Sequence, residues 1–414
     1  MAKRRAIIIG GSMSGLLTGL LLRRANWSAE IFERETELAG RGAGIVAQPG
    51  LISWLEQLGL DCSDLGMSCS SRQILDRNGN VTLTKERPQI LTAWERLYRL
   101  LRDAFPAAHY HRGKTFTGLQ QGALGVVAQF ADGESRSGDV LIAADGLRSP
   151  VRSAVLGDVA MQYAGYVAWR ALLPETALPP EVHREVFDNF VFCLPPGEQF
   201  LGYAVPGANT DLRPGHRRYN VIWYRPADKQ TKLPWLLTDE QGVTHSVSIP
   251  PPLIRGEAVA EMRDAAERLL APQFRAVVRQ IAEPLLQPIY DLETPQMAAG
   301  RVAILGDAAF VARPHVAAGV SKAADDAAAL VEALVHNNDI EAALKAFEAA
   351  RLPDNRRIIE RARHLGAYLQ ATRTGAEQAQ AGQYSTDAAV IAETALVDFL
   401  GRPIIGRQPS RRRL

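Results

Sequence analysis

Three short stretches hold most of the residues whose types and spacing suit chemistry. The first, Gly10-Gly11-Ser12-Met13-Ser14-Gly15 (GGSMSG), follows the apolar run AIII and precedes LLTGLLLRRA. Glycines between a strand and a helix let backbone N–H groups approach a diphosphate at the helix N-terminus, where the helix dipole favours an anion. The usual GxGxxG spacing is altered, because Ser12 stands at the second glycine. Glu33 follows Gly10 by 23 residues and closes the run AEIFE. An acid there can bond both hydroxyls of an adenosine ribose. It would repel a 2′-phosphate, which disfavours a resident NADP and leaves FAD or NAD. The second stretch is DGLRSPVR, Asp145 to Arg152, after VLIAA; the third is GDAAFVARPHVAAG, Gly306 to Gly319, after VAIL. A plain NAD-dependent dehydrogenase needs neither of these two.

Each stretch requires a strand that ends where it begins. Residues 6–33 read strand, turn, helix, strand, which is a βαβ unit opening a parallel sheet. QILDRNGNVTL carries an Asn78-Gly79 hairpin signal, and WERLYRLLRDAF (94–105) has helical spacing. GVVAQFADGESRSGDVLIAADG reads as a hairpin followed by a buried strand, 140–144. After about residue 160 aromatics crowd together and strand-like runs such as NVIWY alternate with turns; RVAILGD at 301 restores parallel-core character, and 320–370 is strongly helical. The expected fold class is α/β, α+β overall: a Rossmann-like nucleotide-binding domain interrupted by a mainly antiparallel β-sheet domain. The expected boundaries are 1–70, 91–160 and 290–370 for the first, 71–90 and 161–289 for the second, and 371–414 for a C-terminal segment ending in the basic tail Arg411-Arg412-Arg413.

Whole-chain properties narrow the function classes. The 414 residues suggest two or three domains, and a net charge of +2 offers no general field for nucleic acid. Cys62, Cys69 and Cys193 are sparse, odd in number and form no CxxC pair, which fits a reducing compartment. The eight histidines show no HxxxH spacing, so no metal site is expected. No run of eighteen apolar residues is present, and the apolar run after MAKRR is too short for a signal peptide. A cytoplasmic protein without membrane or nucleic-acid partners is expected. Residues 389–405 would pack on their own domain or on a neighbour, leaving a homodimer open. Lys322, Asp325 and Asp326 read as solvated charges on a helix face, with Asp326 also placed to support the 306–319 loop.

Taken in order, GGSMSG with Glu33, DGLRSPVR and GD…RP…G resemble the single-component FAD-dependent aromatic hydroxylases of the para-hydroxybenzoate hydroxylase-like fold, over roughly residues 5–370. GAGIVAQP (42–49), YAGYVAWRALL (163–173) and RPHVAAGVSKAADDA (313–327) are more similar to the branch containing 2,6-dihydroxypyridine 3-hydroxylase, whose relatives also hydroxylate urate-like and other N-heterocycles. The resemblance implies a tightly held, non-covalent FAD, with NADH or NADPH as transient co-substrate. It puts Gly10, Ser12, Met13, Ser14 and Gly15 at the pyrophosphate turn and Glu33 and Arg34 at the adenosine. Val46 would approach the flavin by its backbone, and Asp145 with Arg148 would order a segment shared by FAD and the visiting nicotinamide. Asp307 would meet the ribityl–pyrophosphate region, and Ala317, Ala318, Gly319, Val320 and Ser321 the isoalloxazine edge. In the implied chemistry O2 gives a C4a-hydroperoxyflavin whose distal oxygen attacks an electron-rich ring. Phe310 and Trp94 stand where the family often has His and Arg.

Residues at the ring follow from type and place. Arg170, after Trp169, suits the anionic oxygen of a deprotonated hydroxy-heterocycle, or else an interdomain ion pair. Tyr203, Trp223 and Tyr224 could wall a flat pocket, or else fill a sheet core. His315, with an ordinary pKa of about 6.5, could take a substrate proton, or else hold its loop by a hydrogen bond. The six tryptophans form no WxW pair, which argues against a flavin-dependent halogenase. A non-catalytic FAD-binding module would consume no NAD(P)H with any aromatic compound. The reading is a monooxygenase that uses O2 to hydroxylate a small hydroxylated N-heteroaromatic, hydroxypyridine-like, with purine, urate-like and phenolic rings as alternatives.

Overall fold

Short, mainly apolar strands lie beneath all three stretches. In the computed structural model, which describes residues 3–37 and 44–397, Arg5–Ile9, Val140–Ala143 and Val302–Ile304 lie side by side and parallel. Ala6 to Ile9 and every residue of the other two strands are buried, as a parallel sheet covered on both faces requires. Ser28–Phe32 and Tyr110–His111 extend this sheet on one side; Ala298–Ala299 closes the other, giving six strands. The helix Met13–Arg24 buries Leu16, Leu17 and Leu22 completely, each contributing on the order of 1.5–3 kcal/mol. Residues 42 and 43 of GAGIVAQP, residues 398–405 and the tail Arg411-Arg412-Arg413 lie outside the described residues.

A second sheet of nine strands carries the aromatic region. Its order is Phe310–Val311, Leu285–Glu293, Gln162–Pro174, Arg218–Pro226, Gln199–Val205, Phe190–Cys193, Met67–Leu75, Val81–Ala93, Gly44–Ala47. Neighbours are antiparallel except Phe190–Cys193 with Met67–Leu75. Gly44–Ala47 and residues 67–70, assigned to the first domain from the sequence, pair in the second sheet, and Leu285–Glu293 runs through the expected boundary at 290. Strand pairing is decided by distant partners, so composition along the chain does not mark these limits.

Strand alternation sorts the aromatics of this sheet onto two faces. Val221 and Trp223 pack with Ala265 and Phe274 of the helices Gly256–Leu269 and Pro272–Arg279. Ile222 and Tyr224 pack with Tyr166 and Tyr203 on the other side.

The helix Gly319–His336 corrects one expectation. Lys322 is 1% exposed and Asp326 is fully buried, because the helix Ile340–Gly366 packs over that face. Asp326 accepts from Arg351 Nε (2.8 Å), Asn355 Nδ2 (3.0 Å) and the Gly306 N–H (3.2 Å). Burial works to raise its pKa, but Lys322 and Arg351 outweigh that and hold it below the usual carboxylate value. Asp325 accepts from Trp54 Nε1 (3.1 Å). The buried charges therefore anchor the turn that presents Asp307. Arg351→Met, which removes the charged hydrogen bond to Asp326 but leaves it Lys322, Asn355 and the Gly306 N–H, is expected to lower the unfolding free energy by about 1.5–3 kcal/mol in urea titration. A loss of about 1 kcal/mol or less would show that the pair does not secure the turn.

Candidate active site

The register of the parallel sheet aligns Ile9, Ala143 and Ile304, so the chain leaves all three strands at one edge. Ligands of such sheets bind beyond the carboxyl ends of the strands. Gly10 has φ +105°, and a Cβ there would sit 2.3 Å from the Ala144 carbonyl oxygen; at Gly15 a Cβ would sit 1.9 Å from the Gly10 oxygen. Glycine is required at both by close backbone approach. A cavity of about 440 Å³ opens at this edge. It is lined by Gly10, Ser12, Met13, Ser14, Glu33, Arg34, Asp145, Asp307, Gly319 and Val320, ten of the residues expected at a nucleotide.

The donors and acceptors of the cavity fit a dinucleotide. Ser12 begins the helix Met13–Arg24 without a side-chain cap bond, and Ala318 likewise begins Gly319–His336. First-turn N–H groups at two helix starts are thus available to anionic or carbonyl oxygens. Glu33 accepts from the N–H groups of Gly11 (2.7 Å) and Glu35 (3.0 Å), which fix its carboxylate and leave lone pairs for ribose hydroxyls. A Cβ built at Gly319 would meet open space, so the room at this glycine belongs to the cavity and not to protein packing. Arg152 ties two loops together by donating to Leu147 O (2.8 Å) and Ala308 O (2.9 Å).

Asp145 carries an unmatched acceptor. Its Oδ2 accepts from the Val151 N–H (3.2 Å), while its Oδ1 is shut off from solvent without a partner among the described residues. Burial raises its pKa to about 6, against the Val151 N–H and the Arg152 charge, which favour the charged form.

Five expected cofactor residues do not line this cavity. Gly15 is packed on Gly10. Val46, in the edge strand Gly44–Ala47, packs in the cluster that holds Tyr203 and Tyr224. Ala317, Ala318 and Ser321 form the bend and first turn that carry Gly319 and Val320, with Ala317 in the left-handed region at φ +47°. Such strain in a non-glycine residue persists only where the surroundings enforce it.

Sequence reasoning missed several cavity residues. Trp94, stacked on Tyr98 (5.0 Å), lines it together with Tyr110, Lys114 and Phe116. The Tyr110 hydroxyl donates to the Gly11 carbonyl (2.9 Å), bracing the turn from a strand 99 residues away in the chain. No local pattern marks that pairing. Trp94 carried a signal only as a departure from a family pattern.

Beside this cavity, the second sheet presents an aromatic face. His315 is 2% exposed; its Nε2 lies 2.8 Å from the Tyr166 hydroxyl and its ring 4.6 Å from that of Tyr224. Burial, aided by the Arg313 charge, lowers its pKa to about 3, so the ring is neutral at physiological pH. Arg170 donates from Nη1 to Gln287 Oε1 (2.8 Å), and its Nε is buried without a partner among the described residues. Its pairing opposite Ile222 puts it on the Tyr224 face. Asn220, opposite Tyr203 and missed in the sequence, has a buried Nδ2 without a partner among the same residues. Trp223 does not join this group. It points through the sheet to Phe200 (6.0 Å) and the Arg225 guanidinium (4.7 Å), because neighbouring strand residues face opposite ways.

A Rossmann-type edge with two open helix starts and an acid just past the end of the second strand defines a dinucleotide-binding enzyme. Residues 163–291 match the FAD binding domain-like family. The chain is 31% identical to 2,6-dihydroxypyridine 3-monooxygenase of Paenarthrobacter nicotinovorans, over 88% of this chain and 91% of that one. It is 28% identical to an FAD-dependent urate hydroxylase of Klebsiella pneumoniae, over 87% and 88%. The solved 2,6-dihydroxypyridine-3-hydroxylase from Arthrobacter nicotinovorans superposes with a TM-score of 0.83, at 29% identity and with 90% and 95% of the two chains covered. The chain belongs to the FAD-dependent aromatic hydroxylases and is an aromatic-ring monooxygenase. Among the described residues no helix is long and apolar enough to cross a membrane.

The Asp145 carboxyl gives a pH test of the site. Its folded pKa, about 6, lies above the ordinary 3.8, so folding disfavours its charge. The resulting cost is absent below the lower value, grows as pH rises between the two and is complete above the higher. Asp145→Asn apoprotein should therefore be more stable than wild type by about 1–2 kcal/mol near pH 7.5, with the gap closing by about pH 4. Urea unfolding at both pH values measures this, and a gap indifferent to pH would contradict the assignment.

Proposed function

We propose that the protein hydroxylates a small hydroxylated N-heteroaromatic ring of the hydroxypyridine class. On this reading the six-stranded sheet serves FAD and the Tyr224 face of the nine-stranded sheet serves the ring. The observation that carries the proposal is the pair of buried, unmatched donors, Arg170 Nε and Asn220 Nδ2, beside Tyr203, Tyr224 and His315. A deprotonated hydroxy-heterocycle brings an anionic oxygen and a ring-nitrogen acceptor, which match those donors. The similarity to a dihydroxypyridine monooxygenase supports the same class.

FAD, reduced by NADH or NADPH, supplies the oxygen-transfer chemistry when bound. Arg170 stabilises the ring oxyanion, which makes the ring electron-rich, and Tyr203 and Tyr224 hold the plane of the ring. The neutral imidazole of His315 accepts a hydrogen bond from the ring hydroxyl through Nδ1, while Tyr166 at Nε2 fixes its orientation. Cys62, Cys69 and Cys193 are unpaired, which supports a reducing, cytoplasmic setting.

The test is a panel of hydroxypyridines and oxopurines, scored for stimulated NADH or NADPH oxidation and for gain of one oxygen by mass. A hydroxypyridine is expected to give both, and a panel in which none does would overturn the proposal. His315→Ala should keep FAD and slow hydroxylation by about 10²-fold. Normal turnover by that variant would remove the histidine from the reaction. Arg170→Met should raise KM for the anionic ring by about 10-fold or more while FAD content is unchanged; an unaltered KM would assign the arginine to its Gln287 contact alone.

A further inference from the structure

We propose that the C-terminal stretch 387–397 is the outer wall of the ring site and limits the size of ring admitted, with Arg72 and Gln48 as the positioning residues that hold it. The inference rests on the ring face assigned above.

The stretch is tied at main-chain atoms by buried side chains. Arg72, fully buried in the strand Met67–Leu75, donates from Nη1 to the carbonyls of Ile391 (3.0 Å) and Thr394 (2.6 Å). Its Nε and Nη2 donate to Gln89 Oε1 (2.9 and 2.7 Å), which fixes the guanidinium plane. Gln48, 4% exposed, donates from Nε2 to the Ala395 carbonyl (3.0 Å). The Ala395 N–H in turn donates to the carbonyl of His315 (2.6 Å). Ala395 is thus clasped between Gln48 and the histidine that faces the ring, and it is held at φ +58°. A left-handed alanine costs about 1–2 kcal/mol, so these contacts enforce the position instead of following it.

The stretch lies where a ring boundary is needed. Val390, Ile391 and Ala395 are buried in the same cluster as Tyr203 and Tyr224, and Val397 packs beside Val316 and Ala318 of the flavin-side loop. It therefore bridges the aromatic face and the loop that carries His315. Arg361 supports it from outside through Glu393 (2.5 Å). Because the clamps grip carbonyls, they set where the wall stands, and the apolar side chains define how far a ring can extend.

Gln48→Ala and Arg72→Met test the proposal against wild type. The readouts are kcat/KM for a monocyclic hydroxypyridine and a bicyclic hydroxyquinoline, FAD per chain by absorbance, and hydrogen peroxide released per NAD(P)H. Both variants should keep FAD, raise the bicycle-to-monocycle kcat/KM ratio by about tenfold, raise KM for the monocycle more than they lower kcat, and release more peroxide. FAD-loaded Gln48→Ala with the wild-type ratio and peroxide yield would overturn the wall, and it decides the matter if Arg72→Met does not fold. Wild type that holds FAD but oxidises neither ring would instead refute the substrate class, and the wall with it.

Discussion

Parallel pairing of three distant strands is the constraint on which the rest depends. Ile9, Ala143 and Ile304 share one register, so turns far apart in the chain emerge together. That convergence has an electrostatic consequence: Glu33, Asp145 and Asp307 face one cavity. The fold meets it by giving Glu33 backbone donors, by shifting Asp145 towards its neutral form, and by backing the Gly306 turn with Asp326, Lys322 and Arg351. Two uncapped helix starts supply the opposite potential at the same edge. The site is an arrangement of backbone amides with few cationic side chains among the described residues: Arg34 lies beside Glu35, and Lys114 is engaged by Asp132 and Glu134.

The second sheet divides its labour by the alternation of strand residues. One face is a hydrophobic core under helices, where Trp223 and Phe274 pack. The other carries tyrosines, a neutral histidine and donors left unmatched at Arg170 and Asn220. An oxygen or nitrogen of a bound ring would relieve the cost of about 1–3 kcal/mol that each buried, unpaired donor carries.

Much of the first sheet could be read from the chain, because its signals are local. The β-branched run AIII, the glycine turn and Glu33 lie within one βαβ unit, and ten expected residues share one cavity. What escaped depends on partners distant in sequence. Tyr110 reaches Gly11 through a two-residue strand, and Asn220 becomes notable only once it lacks a partner. Trp223 and Tyr224 look alike as neighbours in sequence and separate only when the sheet assigns them faces. Lys322 and Asp326 have the spacing of an exposed helical pair, and only the overlying helix shows that they are buried.

Hydrogen exchange with and without FAD measures the convergence most directly. The account predicts that FAD slows exchange together at residues 10–15, 145–151 and 306–323, and leaves the helix Gly256–Leu269 unchanged. Slowing confined to one of those three segments, or none at all, would contradict it.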